Sequence, residues 1–274
     1  MSAHSPSFSG FAEYYEMHPP TTQWTARKYH ATSDRHAVEV EATISVERTI
    51  TIILNRRFRI HILCTPRQLD AFVVGYLISE GLVQSYNEIT KLECRMNDEI
   101  RVGTKSPIDG ISYWREIRTS GCVGIRQQNE DLEIIEAHDL EITPDRIFQS
   151  QRTLQESGTM WKRSGGTHMA GLFRRSGELA HFSEDIGRHT TLDKVIGQMA
   201  MRGDDPSALY AVISGRVSSA MVTKLIRGRI PIVVSRAAPM QQALKIAQRC
   251  GLTVIGFSRE PELNIYCCPE RVIL

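Results

Sequence analysis

No CxxC pair occurs in this sequence, although it holds six cysteines: Cys64, Cys94, Cys122, Cys250, Cys267 and Cys268. A dithiol redox cycle between near neighbours is therefore not expected. A chain of 274 residues has length enough for a packed core without disulfide staples, so the expected setting is a reducing cytoplasm. No run of about 18 apolar residues is present, which argues against a membrane span. The opening stretch MSAHSPSFSGFAEYYEMHPP has no basic segment followed by an apolar core, so no secretory leader is expected. The histidines form neither HxxxH nor HExxH, and the HxE and PCxxC pair of zinc deaminases is missing, so no metal site is expected. GxxxxGKS and GxGxxG are also absent, which excludes the common phosphate-loop and dinucleotide fingerprints. A formal charge of +2 is too small for general nucleic-acid binding, and any anion must be held by a local basic cluster.

What is present reads as an ordinary globular chain, 41% hydrophobic and 23% charged, of α/β class. Residues 1–36 are polar and lack a period, and are expected to be a loose tail. Residues 37–140 are expected to form a smaller β-rich α+β domain. In it, TITIILNRRFRIHILCT alternates as a hairpin and KLECRMNDEIRVG as another. Between them TPRQLDAFVVGYLISEGL reads as a helix, with Thr65 as cap, Pro66 in the first turn, Gly81 as stop, and Leu69, Phe72, Val73 and Tyr76 on one face. Residues 141–274 are expected to form a C-terminal domain, entered by a helix from Thr143-Pro144 to about Arg163. There LYAVIS, IPIVVS and LTVIGFS alternate with the helices SAMVTKLIRG and PMQQALKIAQRCG, and LNIYCC adds a strand. This is the pattern of a mainly parallel sheet covered on both faces.

Each of the first three strands ends alike: Ser214-Gly215-Arg216, Ser235-Arg236 and Ser258-Arg259. Ligands of open parallel sheets bind beyond the carboxyl ends of the strands. Three hydroxyls and three guanidiniums there predict an anion site for a phosphorylated ligand, in preference to mere helix caps and solvated arginines. HFSEDIGRHTTLDKVIGQM brings Gly187, Arg188 and His189 just ahead of a helix expected to be capped by Thr190 or Thr191. Its buried face is Leu192, Val195, Ile196 and Met199. A salt-bridged cap and a binding site both fit that spacing. SGGTHMAGLF offers His168 after two glycines, either as a structural histidine or as a residue facing a ligand.

Cys122 stands apart from the other cysteines. It lies in RTSGCVGIRQ between glycines, flanked by Arg118 and Arg126, whereas the other five fall in or at the ends of elements and read as small apolar fillers. Nearby cations stabilise a thiolate and glycines allow a partner to approach. On these residues alone a reactive and an inert thiol both remain open.

Several blocks in one order resemble the FdhD family, the formate dehydrogenase accessory sulfurtransferases. DIGRHTTLDKVIG is similar to that family's D-x-G-R-H-x-x-x-D-K-x-x-G block and SGGTHMAGLF to its TGG-x-H segment. The stretch SGRVSSAMVTKLIRGRIPIVVSRAAPMQQALKIAQRCGLTVIGFSRE resembles its long C-terminal region, and TPRQLDAFVVGYLISEGLV its N-terminal helix. The resemblance covers roughly residues 45–270. It implies a carrier that takes sulfur from a cysteine desulfurase as a persulfide and passes it to the molybdenum cofactor bearing two guanine dinucleotides, a step needed for active formate dehydrogenase. It further implies homodimers and a C-terminal three-layer domain similar to cytidine deaminases without their zinc. GDP would be a natural mimic of the bound cofactor. The family's persulfide cysteine falls on Cys122, after Ser120-Gly121. Its guanine-dinucleotide segment falls on Phe257, Ser258, Arg259, Glu260, Pro261 and Glu262. Two departures are visible. The loop lacks a second cysteine, Ile125 standing in its place, and FSREPELN replaces a Gly-rich F-x-R-G-x-R-F-N, putting Glu260 and Glu262 where phosphates would be repelled. A rival expectation is a non-catalytic chaperone that shelters and delivers the cofactor without carrying sulfur. A nucleotide hydrolase of deaminase-like fold is a third, disfavoured by the missing ligand motif.

Overall fold

The computed structural model describes residues 7–30, 36–108, 116–118, 132–135 and 140–274. Two six-stranded sheets and one hairpin organise it. The N-terminal sheet has the order β1-β6-β7-β4-β5-β8. Its strands are β1 (Ser7–Ser9), β4 (Arg48–Leu54), β5 (Phe58–Cys64), β6 (Ile89–Arg95), β7 (Glu99–Thr104) and β8 (Glu116–Arg118). The two hairpins read from the sequence are β4–β5 and β6–β7, both antiparallel. The C-terminal sheet has the order β10-β9-β11-β12-β13-β14, from β9 (His168–Arg174), β10 (Leu179–Asp185), β11 (Leu209–Ile213), β12 (Ile232–Ser235), β13 (Thr253–Arg259) and β14 (Glu262–Cys267). The expected parallel pairing holds for β11, β12 and β13. The flanking pairs, β10 with β9, β9 with β11 and β13 with β14, run antiparallel, so the sheet is mixed. The reason is local: short connections join β9 to β10 and β13 to β14, and only antiparallel strands accept a tight turn.

The strands of the C-terminal sheet are apolar on both faces because both are covered. Along β11, Leu209, Ala211 and Ile213 join one core cluster while Tyr210 and Val212 join another. This is the period-two alternation of a pleated strand. On the first face lie α5 (Arg188–Arg202), α6 (Ser219–Arg227) and α7 (Gln241–Cys250). On the second lies α3 (Pro144–Ser157), through Ile147 and Leu154. The helix expected to run from Pro144 to about Arg163 is two: α3 stops at Gly158, and α4 (Thr159–Ser164) follows. No helix among the described residues is long and apolar enough to cross a membrane.

α2 (Leu69–Ser79) corrects the expected single apolar face. Every residue in it except Asp70 is buried, because it lies between the N-terminal sheet and α5 in one continuous core. A helix apolar all round is one enclosed all round. The helix also starts after Gln68 and not at Thr65-Pro66. The Tyr15 hydroxyl accepts the Leu69 N–H at its first turn and donates to Asp70. Gly75 and Gly197 sit where α2 crosses α5: a Cβ on Gly75 would lie 1.7 Å from the Asp193 carbonyl oxygen, and one on Gly197 1.8 Å from that of Ala71.

The loose tail expected for residues 1–36 is also corrected over its described residues, 7–30 and 36. β1 pairs with β6, and α1 (Phe11–Met17) buries Phe11 and Tyr14. β2 (Thr21–His30) pairs along its length with β3 (His36–Ser45). The signal was the aromatic content of FSGFAEYY, not its period: Phe8, Phe11, Tyr14 and Tyr15 form a ring cluster. Burying such rings offsets the ordering of an otherwise polar segment.

The helix crossing is testable. Gly197→Ala places a methyl into rigid backbone, so it is expected to cost about 3 kcal/mol, the upper end for overpacking. Urea denaturation measures it, and an unchanged midpoint would show that α2 and α5 do not need the close approach.

Candidate functional site

Mixed topology brings distant motifs to one edge. β9 runs against β11, so its first residue, His168, lies beside Ser214 at the end of β11. β10 runs against β9, so its last residue, Asp185, is opposite His168. The SGGTH segment, the DIGR turn and the strand ends therefore share the carboxyl edge of the three parallel strands.

The turn between β10 and α5 is built around a buried carboxylate. Asp185 is fully buried and pairs with the equally buried Lys194. Its Oδ2 also accepts the Thr65 N–H at 3.1 Å, and its Oδ1 accepts the Gly187 N–H at 3.0 Å and the Thr190 hydroxyl at 2.6 Å. Lys194 donates further to the Thr65 carbonyl, while the Thr65 hydroxyl accepts the Ile186 N–H. Thr65 is thus a clamp between the two sheets and not the α2 cap. Arg188 and His189 lie in the first turn of α5, not ahead of it, because Gly187 takes the cap position. Thr190 and Thr191 donate back to the Gly187 carbonyl. Asp193 faces inward too, with Lys224, whose ammonium also reaches Ser79 and Glu80.

At the strand ends the serines turn in and the arginines turn out. Ser214 Oγ accepts the Met169 N–H at 2.9 Å and lies 3.3 Å from His168 Nδ1. Ser235 Oγ donates to the Gly215 carbonyl and accepts the Ala237 N–H. Ser258 is fully buried, and its Oγ has no partner among the described residues. A Cβ on Gly215 would lie 3.1 Å from Arg188 Cβ and 3.5 Å from His168 Nδ1, so this glycine lets the two motifs close on β11. Burial and then the positive charge of Arg216 hold the Arg188 guanidinium below its usual pKa. Burial and then Arg188 hold His168 below the usual imidazole range. No carboxylate among the described residues forms an ion pair with Arg188, Arg216 or Arg236. Crowded and unneutralised cations of this kind form a seat for an anion.

Beside these groups lies a cleft of about 540 Å³ between the strand ends and the wall of α3 and α4, whose lining includes neither Arg188 nor Arg216. His168, Ser214 and Arg236 line it, together with Gly165 and Gly166. The expected convergence of all three Ser-Arg ends is only partly met. Phe257–Glu262 is not part of this lining, because β13 turns directly into β14, with Arg259 opposite Glu262. Glu260 is neutralised by Arg152 of α3, which removes one of the two expected repulsions. Phe257 is exposed and touches the Arg236 turn through the Ala237 carbonyl. Sequence reasoning missed the α3–α4 wall, including Gln151 and Trp161. Its one signal was the break at Gly158.

Cys122 and Arg126 lie outside the described residues, as does the side chain of Arg118. The other five cysteines are all buried. Burial pushes the thiols of Cys64, Cys267 and Cys268 up, and that of Cys94 up to about 12. These four thiols are held in the unreactive protonated form.

The sequence model of the FdhD/NarQ family matches residues 45–273. The chain is 33% identical over 246 residues to the sulfur carrier protein FdhD of Methanothermobacter thermautotrophicus, covering 89% of this chain and 96% of that one. It is 36% identical over 213 residues to the sulfur carrier protein FdhD of Saccharolobus solfataricus, covering 77% and 82%. A crystal structure of a candidate formate dehydrogenase accessory protein from Desulfotalea psychrophila superposes with a TM-score of 0.77 at 24% identity, covering 93% of this chain and all of that one. At that identity the likeness carries the fold.

Two measurements check the site. Asp185→Ala strands a buried ammonium and two N–H groups, so a loss of about 3–5 kcal/mol is expected in urea denaturation; a loss below about 1 kcal/mol would mean the pair clamps nothing. His168 is depressed partly by Arg188, so an anion seated on Arg188 must raise its pKa. In an NMR titration, saturating pyrophosphate is expected to move the His168 resonance midpoint upward, and an unmoved midpoint would place the anion elsewhere.

Proposed function

The chain belongs to the FdhD/NarQ family, and on that footing we propose that it is a sulfur carrier for formate dehydrogenase, with Cys122 as the carrying thiol. The thiolate of Cys122 attacks the outer sulfur of a persulfide on a cysteine desulfurase. One S–S bond forms as another breaks, and the desulfurase leaves as its own thiolate. Attack on the outer sulfur by the substrate, the molybdenum cofactor with two guanine dinucleotides, then breaks the S–S bond and releases Cys122 as its thiolate; the substrate's phosphates are held at the strand-end cleft by Arg236, with Arg188 and Arg216 adjoining. The three-layer C-terminal region would be the zinc-free, cytidine-deaminase-like domain of a homodimer.

One observation carries the reading above all: every cysteine that the structure describes is buried. That leaves Cys122 as the candidate for exchange with a protein partner. Chain geometry supports it. β8 runs parallel to β5, with Arg118 opposite Ile62, three residues before Thr65 and its clamp on Asp185. Cys122 follows four residues after Arg118, a chain length of at most about 14 Å. Arg118, the last described residue before Cys122, thus lies at the side of the N-terminal sheet that meets the DIGR turn.

The test is labelled sulfur. Incubated with a cysteine desulfurase and labelled cysteine, the wild-type protein is expected to retain label that reductant releases, and Cys122→Ala to retain only background. Equal retention would remove the role from Cys122. Activation of formate dehydrogenase by Cys122→Ala in cells lacking their own accessory factor would instead favour a chaperone that delivers the cofactor without sulfur.

A further inference from the structure

We propose that the apolar face of the β2–β3 ribbon is the seam along which two copies of this chain join. This rests on the homodimer of the reading above and gives it a surface. Directly opposed residues of an antiparallel pair share a face, and successive residues alternate between faces. The register of β2 with β3 therefore sorts their side chains. Trp24, Ala26, Val38, Val40, Ala42 and Ile44 fall on one face, with Thr22 at its root and Lys28 towards its tip. On the other face Gln23 Nε2 donates to Thr43 Oγ1 at 3.3 Å, the Thr25 hydroxyl donates to the Glu41 carboxylate at 2.8 Å, and Arg27 stands opposite Glu39 only through its strand pairing, on the same polar side. That polar face is the one rooted on the body of the protein: Ser45 belongs to it, and its Oγ lies 2.7 Å from Ser164 Oγ of α4. The apolar face is open, with Trp24 67%, Ile44 44% and Val38 40% exposed.

Strands that alternate apolar and polar in this way belong to a sheet with one face covered. Among the described residues no third strand joins β2 and β3. A two-stranded ribbon by itself is marginal in water, and packing of an apolar face is what stabilises it. Yet the two strands pair along ten residues each. Charge indicates what covers the face. Arg27 and Lys28 stand against Glu39 and Glu41, so the ribbon has no formal net charge with its histidines neutral. It offers no field to draw in an acidic or basic partner, and two copies meet on it without net repulsion. Shape agrees. A two-fold pair uses the same patch on both sides, so the patch must hold both a knob and a hollow. Trp24 is the knob, and Ala26 and Ala42 beside it are the hollow. With two ribbons antiparallel about an axis beside Ala26, the indole of each copy seats over the alanines of the other. Buried aromatic anchors of this kind dominate interface energies. A face this apolar needs cover from the moment the chain folds, and a second copy supplies it permanently, whereas a partner that comes and goes leaves it wet between visits. β2 and all of β3 but Ser45 precede the residues that the family model matches, so the surface belongs to this chain's own N-terminal segment.

Sedimentation velocity of the full chain tests this. The wild type is expected to sediment as a dimer at micromolar concentration. Trp24→Ala is expected to raise the dissociation constant at least about thirtyfold, the cost of losing a central aromatic anchor. Ile44→Glu brings like charges into the seam and is expected to raise it at least about a hundredfold. Gln23→Glu, on the opposite face of the same ribbon, is expected to leave it unchanged. All three positions are exposed, so the far-UV circular dichroism of each variant is expected to match the wild type. Ala26→Cys in a Cys122→Ala background, treated with a short bis-maleimide, is expected to give a covalent pair. A wild-type dimer that persists unweakened in Trp24→Ala and Ile44→Glu, with no cross-link through Ala26→Cys, would mean that the copies join elsewhere: the seam is then wrong and the homodimer stands. A monomeric wild type would overturn both. Should Ile44→Glu of that monomer also fail to activate formate dehydrogenase in cells, the face would belong to a client and not to a second copy.

Discussion

The arrangement turns on a carboxylate that never meets water. Asp185 and Lys194 are both fully buried, and a pair so placed is stable only when its remaining lone pairs and protons are satisfied. Here the backbone of Thr65, the N–H of Gly187 and the hydroxyl of Thr190 do so. One end of the pair belongs to the C-terminal sheet and its partner backbone to the end of β5. Two sheets that could have been independent are thereby held in register at one point, and that point, Asp185, is three residues from Arg188. A second buried cluster begins at the neighbouring residue of α5: Asp193, with Lys224, Glu80 and Ser79, fixes α2 and α6 on the same helix. The charges of DIGRHTTLDK are thus largely turned inward, where they set geometry.

Against this rigid frame the chemistry is divided by burial. Burial in the larger core raises the pKa of the thiols of Cys64, Cys94, Cys267 and Cys268, which keeps them from thiol exchange. Arg188, Arg216 and Arg236 have no carboxylate ion-pair partner among the described residues, and burial first, then the charge of Arg216, lower the pKa of Arg188. An anion offsets that charge. The same edge is thus open to an anion, with no ion pair of these arginines among the described residues to be broken first.

Much of the architecture was legible in the residues. The strands and helices from Leu209 to Cys267 follow from short apolar runs, glycine stops at Gly228 and Gly251, and the 3.6-residue period of α6 and α7. The three Ser-Arg ends marked the edge at which the cleft lies. Legibility failed where long-range packing overrode local pattern. The N-terminal segment was judged by its polarity, while its aromatic rings decided its order. α2 was given one buried face and has no exposed one, because α5 covers the side that β-sheet packing leaves open.

Composition and spacing by themselves determined the class of fold, the elements and the types of residue that could bind phosphate, since these depend on neighbours within a turn or a pleat. Only the tertiary structure decided that His168, Arg188 and Ser214 meet, that Arg259 stands aside, that Asp185 faces Thr65, and that the Gln151 amide nitrogen on α3 has no partner among the described residues. Those facts depend on strand order and on which buried groups find hydrogen-bond partners, and such pairings join residues about 50 to 130 positions apart.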